Sequence, residues 1–164
     1  MIFGAETGPF TDRTAWYLTW VHRPWASVQF QLAPKVKVMG SVITEKRILV
    51  LVVEDDSLLR MDAVQMIEKA GFDALEAANA DDAILILEAR SDINVVFTDV
   101  DMPGSMDGLK LAHAVRGRWP PIQIITTSGH VTVKDKDLPA GSRFIPKPYS
   151  SDYVTGVVRD LVDR

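Results

Sequence analysis

The chain has 164 residues, of which 47% are hydrophobic and 24% are charged, which is the composition of one globular domain with an additional segment. It contains no cysteine, which excludes disulfides, thiolate catalysis and zinc–thiolate sites, and no apolar run approaches the roughly 20 residues of a membrane-spanning helix. The net charge of −4 disfavours nucleic acid as a partner, so we expect a cytoplasmic protein that binds neither nucleic acid nor membrane.

Residues 1–45 differ in composition from the rest of the chain. They contain Trp16, Trp20 and Trp25, and their short apolar run has no small-residue cleavage site typical of a signal peptide. Trp16 and Trp20 are four residues apart and would share one face of a partner-binding helix. We favour two simpler interpretations, a disordered extension or translated upstream sequence ahead of a true start at Met39.

From residue 46 onward, predicted strands and helices alternate. Apolar runs begin at Ile48, Asp73, Asn94, Ile122 and Arg143. Successive runs are far enough apart for a crossover helix and too far apart for a hairpin. Five such units in succession predict an α/β fold with a doubly wound, five-stranded parallel sheet that helices cover on both faces.

The predicted helices carry apolar side chains at helical spacing, in the stripes Leu59–Ala63–Met66–Ile67–Ala70, Ala80–Ala83–Ile84–Leu87 and Val154–Val157–Val158–Leu161. Asn79 and Asp107 are predicted N-caps, and Gly71 is a predicted stop signal. One segment does not fit this pattern. Between residues 130 and 139 the apolar spacing is closer to two, which predicts a shortened or irregular fourth helix.

Polar residues end the predicted strands, and right-handed crossovers bring all these strand ends to one edge of the sheet. Oxygen ligands from carboxylates suit magnesium, and a lysine suits a phosphoryl group. The pattern therefore predicts a site for both at this edge. Its residues are Glu54, Asp55 and Asp56 after the first strand, Asp99 at the third, Thr127 and Ser128 at the fourth, and Lys147 at the fifth.

The chain from about Lys46 to its last residue resembles the receiver domains of bacterial response regulators. The resemblance rests on four motifs in order, which are Leu51–Asp56, Asp99–Gly108, Thr127–Gly129 and Lys147–Tyr149. It implies a flavodoxin-like (βα)5 fold with strand order 2-1-3-4-5, and a receiver domain over residues 46–164.

The resemblance also assigns roles to residues. It implies that Asp99 accepts the phosphoryl group and that Mg2+ is held by Glu54, Asp55, Asp99 and the main-chain carbonyl of Asp101. Thr127 and Lys147 would contact the phosphoryl oxygens, and the Lys147–Pro148 peptide bond is expected to be cis. The aromatic residue that responds to movement of Thr127 would be Phe144. We further expect the residues flanking the site, Asp101 and Gly129, to set the lifetime of the phosphoryl group.

The function implied is phosphorelay signal transduction. The donor would be a sensor histidine kinase or a histidine phosphotransfer protein, and phosphorylation would switch binding to a downstream protein target. We expect a monomer or weak dimer that assists its own phosphorylation and dephosphorylation without being a turnover enzyme. The residues after Lys147 suffice for one helix, so no effector domain is expected.

Two alternatives stay open at this point. A pseudo-receiver would keep the fold and act only as a docking module. A haloacid-dehalogenase-type phosphatase also uses an aspartyl nucleophile, but it needs an acidic pair after the lysine, whereas here the pair Glu54–Asp55 precedes Asp99. A flavin carrier of similar topology is weaker still, because no phosphate-binding loop follows the first strand.

Overall fold

The computed structural model describes residues 47–130 and 133–163. The prediction for residues 1–45, with its alternative start at Met39, lies outside these ranges. In chain order the described elements are β1 (Leu49–Val53), α1 (Ser57–Lys69), β2 (Asp73–Ala77), α2 (Ala80–Ala89), β3 (Val95–Asp99), α3 (Gly108–Arg118), β4 (Gln123–Ser128), a 3₁₀ helix (Asp135–Asp137), β5 (Arg143–Pro146) and α4 (Ser151–Val162).

The five described strands form one parallel sheet with the order β2-β1-β3-β4-β5. This is the flavodoxin-like order that the sequence predicted. In the register of the central strands, Asp99 pairs with Thr127, and Ser128 pairs with Pro146. The strand ends therefore lie side by side at one edge of the sheet, as parallel pairing requires.

Two hydrophobic layers cover the sheet, one on each face. Alternate side chains of β1 divide between them, because successive residues of a strand point to opposite faces. Leu49, Leu51 and Val53 pack with α2 and α3. Val50 and Val52 pack with α1 and α4. The sheet is therefore doubly wound, which explains why β1 and β3 are buried along their whole length.

Each α-helix begins at a polar side chain that accepts a main-chain N–H, and these N-caps are Asp56, Asn79, Asp107 and Ser150. The predictions for Asn79 and Asp107 are confirmed. The stop signal after α1 is also confirmed, because Gly71 adopts a φ of 89°, a left-handed conformation that glycine tolerates best. None of the helices in the described part of the chain combines the length and apolar character needed to cross a bilayer.

The segment between β4 and β5 confirms the prediction of a shortened or irregular fourth helix, since its described residues contain only the 3₁₀ turn Asp135–Asp137. The apolar stripe of α1 is not buried along its whole length. Leu59 lies on the same face as Ala63 and Met66, with which it lines a groove, but it is 46% exposed. It lies in the first turn of α1, beside an open groove rather than a packed neighbour.

The start of α3 is packed directly against the end of β3. The main-chain N–H of Gly108 donates to the carbonyl of Val100 at 3.1 Å. A Cβ at position 108 would lie 1.8 Å from the carbonyl oxygen of Asp99. Glycine is therefore required here by the close approach of two backbones.

We expect Gly108→Ala to lower the free energy of unfolding by roughly 1–3 kcal/mol, because the added methyl group must displace the end of β3. Gly117→Ala, on the same helix, is the matched control, since nothing lies within 4 Å of its added Cβ. That control should be neutral or stabilising by about 0.5–1 kcal/mol. Urea denaturation of both variants is the measurement, and equal stabilities would contradict the packing argument.

Candidate functional site

Three carboxylates meet at the carboxyl edge of the sheet. Glu54 follows β1 and Asp99 ends β3, and both are buried, whereas Asp55 is exposed. Each offers one carboxylate oxygen, and these three oxygens lie within 4.8 Å of one another. Like charges this close repel strongly unless a cation lies among them.

Lys147 supplies part of the balancing charge from the other side. Its Nζ donates to Glu54 Oε2 at 2.7 Å and lies 3.2 Å from Asp99 Oδ1. Burial raises the pKa of Glu54, and Asp99 adds to the rise, although the hydrogen bond from Lys147 opposes it. Burial alone would lower the pKa of Lys147, but its contacts with both carboxylates outweigh burial and the pKa is raised. Lys147 therefore stays charged at neutral pH.

The segment that carries Lys147 is fixed on both sides. Its main-chain N–H donates to the carbonyl of Ser128 at 2.9 Å. Tyr149 packs edge-on against Phe97 of β3, with ring centroids 5.7 Å apart. The predicted cis bond between Lys147 and Pro148 is confirmed. The ammonium group is therefore held by the sheet itself rather than by a mobile loop.

Thr127 Oγ1 is buried without a hydrogen-bond partner among the described residues, and the equally buried Asp99 Oδ1 is contacted by the Lys147 ammonium group at 3.2 Å. They belong to residues that pair across β3 and β4. A buried polar atom left unpaired is costly, and native structures rarely retain one without a reason. The hydroxyl of Thr127 is therefore available to a ligand at the sheet edge, beside the Lys147–Asp99 ion pair.

The donor set fits a magnesium ion. Three carboxylate oxygens in close reach, with no nitrogen or sulfur ligand among them, suit a hard divalent cation that keeps some of its water. The side chain of Asp101 is not part of this set. Its carboxylate accepts a hydrogen bond from the Ser128 hydroxyl at 2.6 Å. The role predicted for its main-chain carbonyl stays a prediction.

Asp56 and Asp107 take structural positions at this edge. The Asp56 carboxylate accepts the main-chain N–H groups of Leu58 and Leu59, at 2.8 and 3.0 Å, and so caps α1. Asp107 accepts from the N–H of Lys110 at 2.8 Å and caps α3. Of the three successive acids after β1, two therefore face the cluster and the third begins the helix.

Sequence reasoning missed two features of the site. Ser128 was predicted only as a polar residue at the end of the fourth strand, whereas its hydroxyl donates to Asp101 and its Oγ accepts from the N–H of His130 at 3.2 Å. Arg60 was not singled out, although it contacts the main chain of the acidic segment. A single arginine on an amphipathic helix gives no sequence signal that separates it from an ordinary solvated charge.

An open groove of about 620 Å³ borders the acidic cluster. Lys147 lies among its lining residues, and α1 contributes Leu59 and Met66. Leu58 and Met61, on the same helix, are 67% and 48% exposed. Exposed apolar side chains that cluster beside a polar site are typical of a protein-binding surface.

Comparison with known proteins gives the family of this fold and site. The family model described as the response regulator receiver domain matches residues 50–159. The chain belongs to this family. Receiver domains act in two-component signalling and phosphorelays, in which they interact with histidine kinases and downstream targets. They are generally signalling proteins rather than turnover enzymes, and they typically bind Mg2+.

Relatives with the same receiver region differ greatly in length. The chain is 33% identical to the sensor kinase CckA of Brucella abortus over 119 residues, which are 70% of this chain but 12% of that protein. It is 30% identical to the response regulator receiver protein CpdR of the same organism over 118 residues, which are 70% of this chain and 91% of that protein. The matched region is thus 12% of the length of CckA but 91% of the length of CpdR.

A solved structure agrees with the fold. A response regulator receiver protein from Pseudomonas putida is 29% identical, with a TM-score of 0.64 over 70% of this chain and 97% of that chain. The flavodoxin-like receiver fold is therefore shown by the family model, by a relative and by a structure.

Proposed function

We propose that Asp99 accepts a phosphoryl group from the phosphohistidine of a histidine kinase or histidine phosphotransfer protein. The observation that carries this proposal is the convergence of Lys147 and two further carboxylates on the buried carboxylate of Asp99. Glu54, Asp55, Asp99 and the carbonyl of Asp101 would hold Mg2+, which neutralises charge on the phosphoryl oxygens.

The transfer needs little chemistry from the protein beyond positioning. A carboxylate oxygen of Asp99 forms a bond to phosphorus as the phosphorus–nitrogen bond to the donor imidazole breaks, and the bonding electrons return to that ring. Lys147 and the hydroxyl of Thr127 would then contact the transferred oxygens. The product is an acyl phosphate, which water hydrolyses, so the signal is reversible.

Phosphorylation would act as a switch through Thr127. Its Oγ1 is buried without a hydrogen-bond partner in the described part of the chain, so a phosphoryl oxygen on Asp99 would provide an acceptor for it. Movement of Thr127 would pull on the segment after β4, which holds only a 3₁₀ turn in its described residues. Phe144 is half-buried on β5 and pairs with Thr126 of β4, so it would respond to the movement of Thr127. The downstream protein would distinguish the phosphorylated form from the unphosphorylated form.

The phosphodonor would dock on the surface formed by Leu58, Leu59 and Met61 of α1, next to the groove that reaches Lys147. A protein donor must bring its histidine to Asp99, so the apolar surface that it buries should border the acidic cluster. Leu59 of this surface lines the same groove as Lys147, whereas exposed Leu85 lies on α2, across the sheet from α1.

The two alternatives predict different behaviour. A docking module without chemistry would not need Lys147 held between Glu54 and Asp99, and a phosphatase would turn over phosphate esters. We propose a cytoplasmic receiver domain over residues 46–164, with residues 1–45 as an extension. It would assist its own phosphorylation and dephosphorylation without being a turnover enzyme. It would act as a monomer or weak dimer.

Incubation of the chain with acetyl phosphate and Mg2+ should add one phosphoryl group, detected by intact-mass spectrometry. Asp99→Asn should abolish the gain, because an amide is not a nucleophile for phosphorus. Chelation of Mg2+ should also abolish it in the parent chain. Absence of any gain in the folded parent chain would favour the docking module, and steady release of phosphate from a generic phosphate ester would favour the phosphatase.

The carboxylate of Asp101 should shorten the phosphoryl lifetime, because it can accept a proton from an attacking water and an amide cannot. We expect Asp101→Asn to slow dephosphorylation several-fold, measured by the decay of the phosphorylated mass. The control is Asp81→Asn, since Asp81 is likewise an exposed acceptor of a serine hydroxyl, from Ser105 at 2.6 Å. Indistinguishable decay of Asp101→Asn and the parent would refute this role.

Leu58→Ala should slow phosphotransfer from a phosphorylated kinase and leave labelling by acetyl phosphate unchanged, because only the protein donor buries this side chain. The assay uses the histidine kinase of the host that transfers its phosphoryl group fastest to the parent chain. Leu85→Ala, at a leucine that is 64% exposed, should match the parent with both donors. Equal losses with both donors would mean that the substitution damages the acidic site rather than docking.

A further inference from the structure

Arg60 of α1 connects three parts of the molecule around the acidic segment. Its Nη1 donates to the carbonyl of Glu54 at 2.7 Å and, at 3.4 Å, to the carbonyl of Asp55. Its Nε donates to Glu76 Oε2 on β2 at 3.1 Å. The side chain of Arg60 is only 17% exposed, although arginine is usually a surface residue.

These contacts supply a hydrogen-bond donor to the main chain where β1 ends. Glu54 follows the last residue of β1, at the edge where the sheet ends. Its N–H is paired with the carbonyl of Ala77 at 3.2 Å, and its own carbonyl points to Arg60. A charge-assisted bond to this carbonyl fixes the peptide plane between the two acids, and that plane sets the directions of both side chains.

We infer that Arg60 is a positioning residue that orders the Glu54–Asp55 segment for divalent cation binding. The inference rests on the proposed function, since it assumes that these two acids hold Mg2+. Arg60 itself would touch neither the ion nor the phosphoryl group. Its guanidinium would act through hydrogen bonds to the main chain, and its ion pair with Glu76 would hold it in place.

Charge and geometry make opposite predictions for this residue. A positive charge close to a metal site weakens cation binding, so removal of the charge alone would strengthen it. Loss of the ordered carbonyls would weaken binding, because the carboxylates would have to be ordered when the ion binds. Lysine retains the charge but has no planar fork, and therefore cannot span the carbonyls and Glu76 in the same way.

The experiment measures Mg2+ affinity by isothermal titration calorimetry in the absence of a phosphodonor. We expect Arg60→Lys and Arg60→Met each to raise the dissociation constant several-fold at an unchanged fold. Glu76→Gln, which weakens only the outer contact, should have a smaller effect of the same sign. Arg118→Lys is the matched control. Arg118 of α3 pairs with Glu88 of α2 at 2.6 Å, so its replacement should leave the affinity unchanged.

A second readout requires no metal. Hydrogen exchange of the Asp55 and Asp56 amides, followed by NMR in Mg2+-free buffer, should be faster in Arg60→Lys than in the parent. Unchanged affinity in Arg60→Lys, or tighter binding in Arg60→Met, would overturn the inference. Failure of the parent chain to bind Mg2+ would instead overturn the proposed function, and the exchange rates would still decide whether Arg60 orders the segment.

Discussion

The charge balance around Asp99 is the interaction on which the rest of the site depends. Glu54 and Asp99 are buried carboxylates at the end of an apolar sheet, and burial of charge is tolerated only with a partner. Lys147 is that partner, at 2.7 and 3.2 Å from their oxygens. One ammonium group cannot neutralise three carboxylates, so the edge keeps an excess of negative charge that a divalent cation can satisfy.

The backbone at this edge is built to keep those charges in place. Close packing of Gly108 against the end of β3 leaves no room for a side chain there, so the position of Asp99 is coupled to the start of α3. Arg60 holds the carbonyl of Glu54 on the other side. The hydrogen bond from Ser128 to Asp101 joins the end of β4 to the segment that follows β3. Each support comes from a different element, so the site depends on the whole sheet.

The two surfaces beside this edge differ in character. The α1 surface is apolar and continues into a groove that contains Lys147 among its lining residues. The segment between β4 and β5 has only a 3₁₀ turn in its described part, and none of the residues of that turn, Asp135–Asp137, is buried. A weakly packed segment next to Thr127 can change its conformation at a small free-energy cost, which suits a switch. The domain therefore combines an acidic site that several elements hold in place with a less constrained segment between β4 and β5.

The sequence by itself determined the strands, the helix caps and the identity of the acids and of Lys147, because these depend on local patterns. Apolar runs predicted the strands, Asn79 and Asp107 were readable as caps, and order along the chain predicted that the strand ends converge. Only the tertiary structure decided the roles of Arg60, Ser128 and Gly108, and the exposure of Leu59. Their contacts join elements remote in sequence or depend on how closely two backbones approach, and no periodicity along one element records such distances.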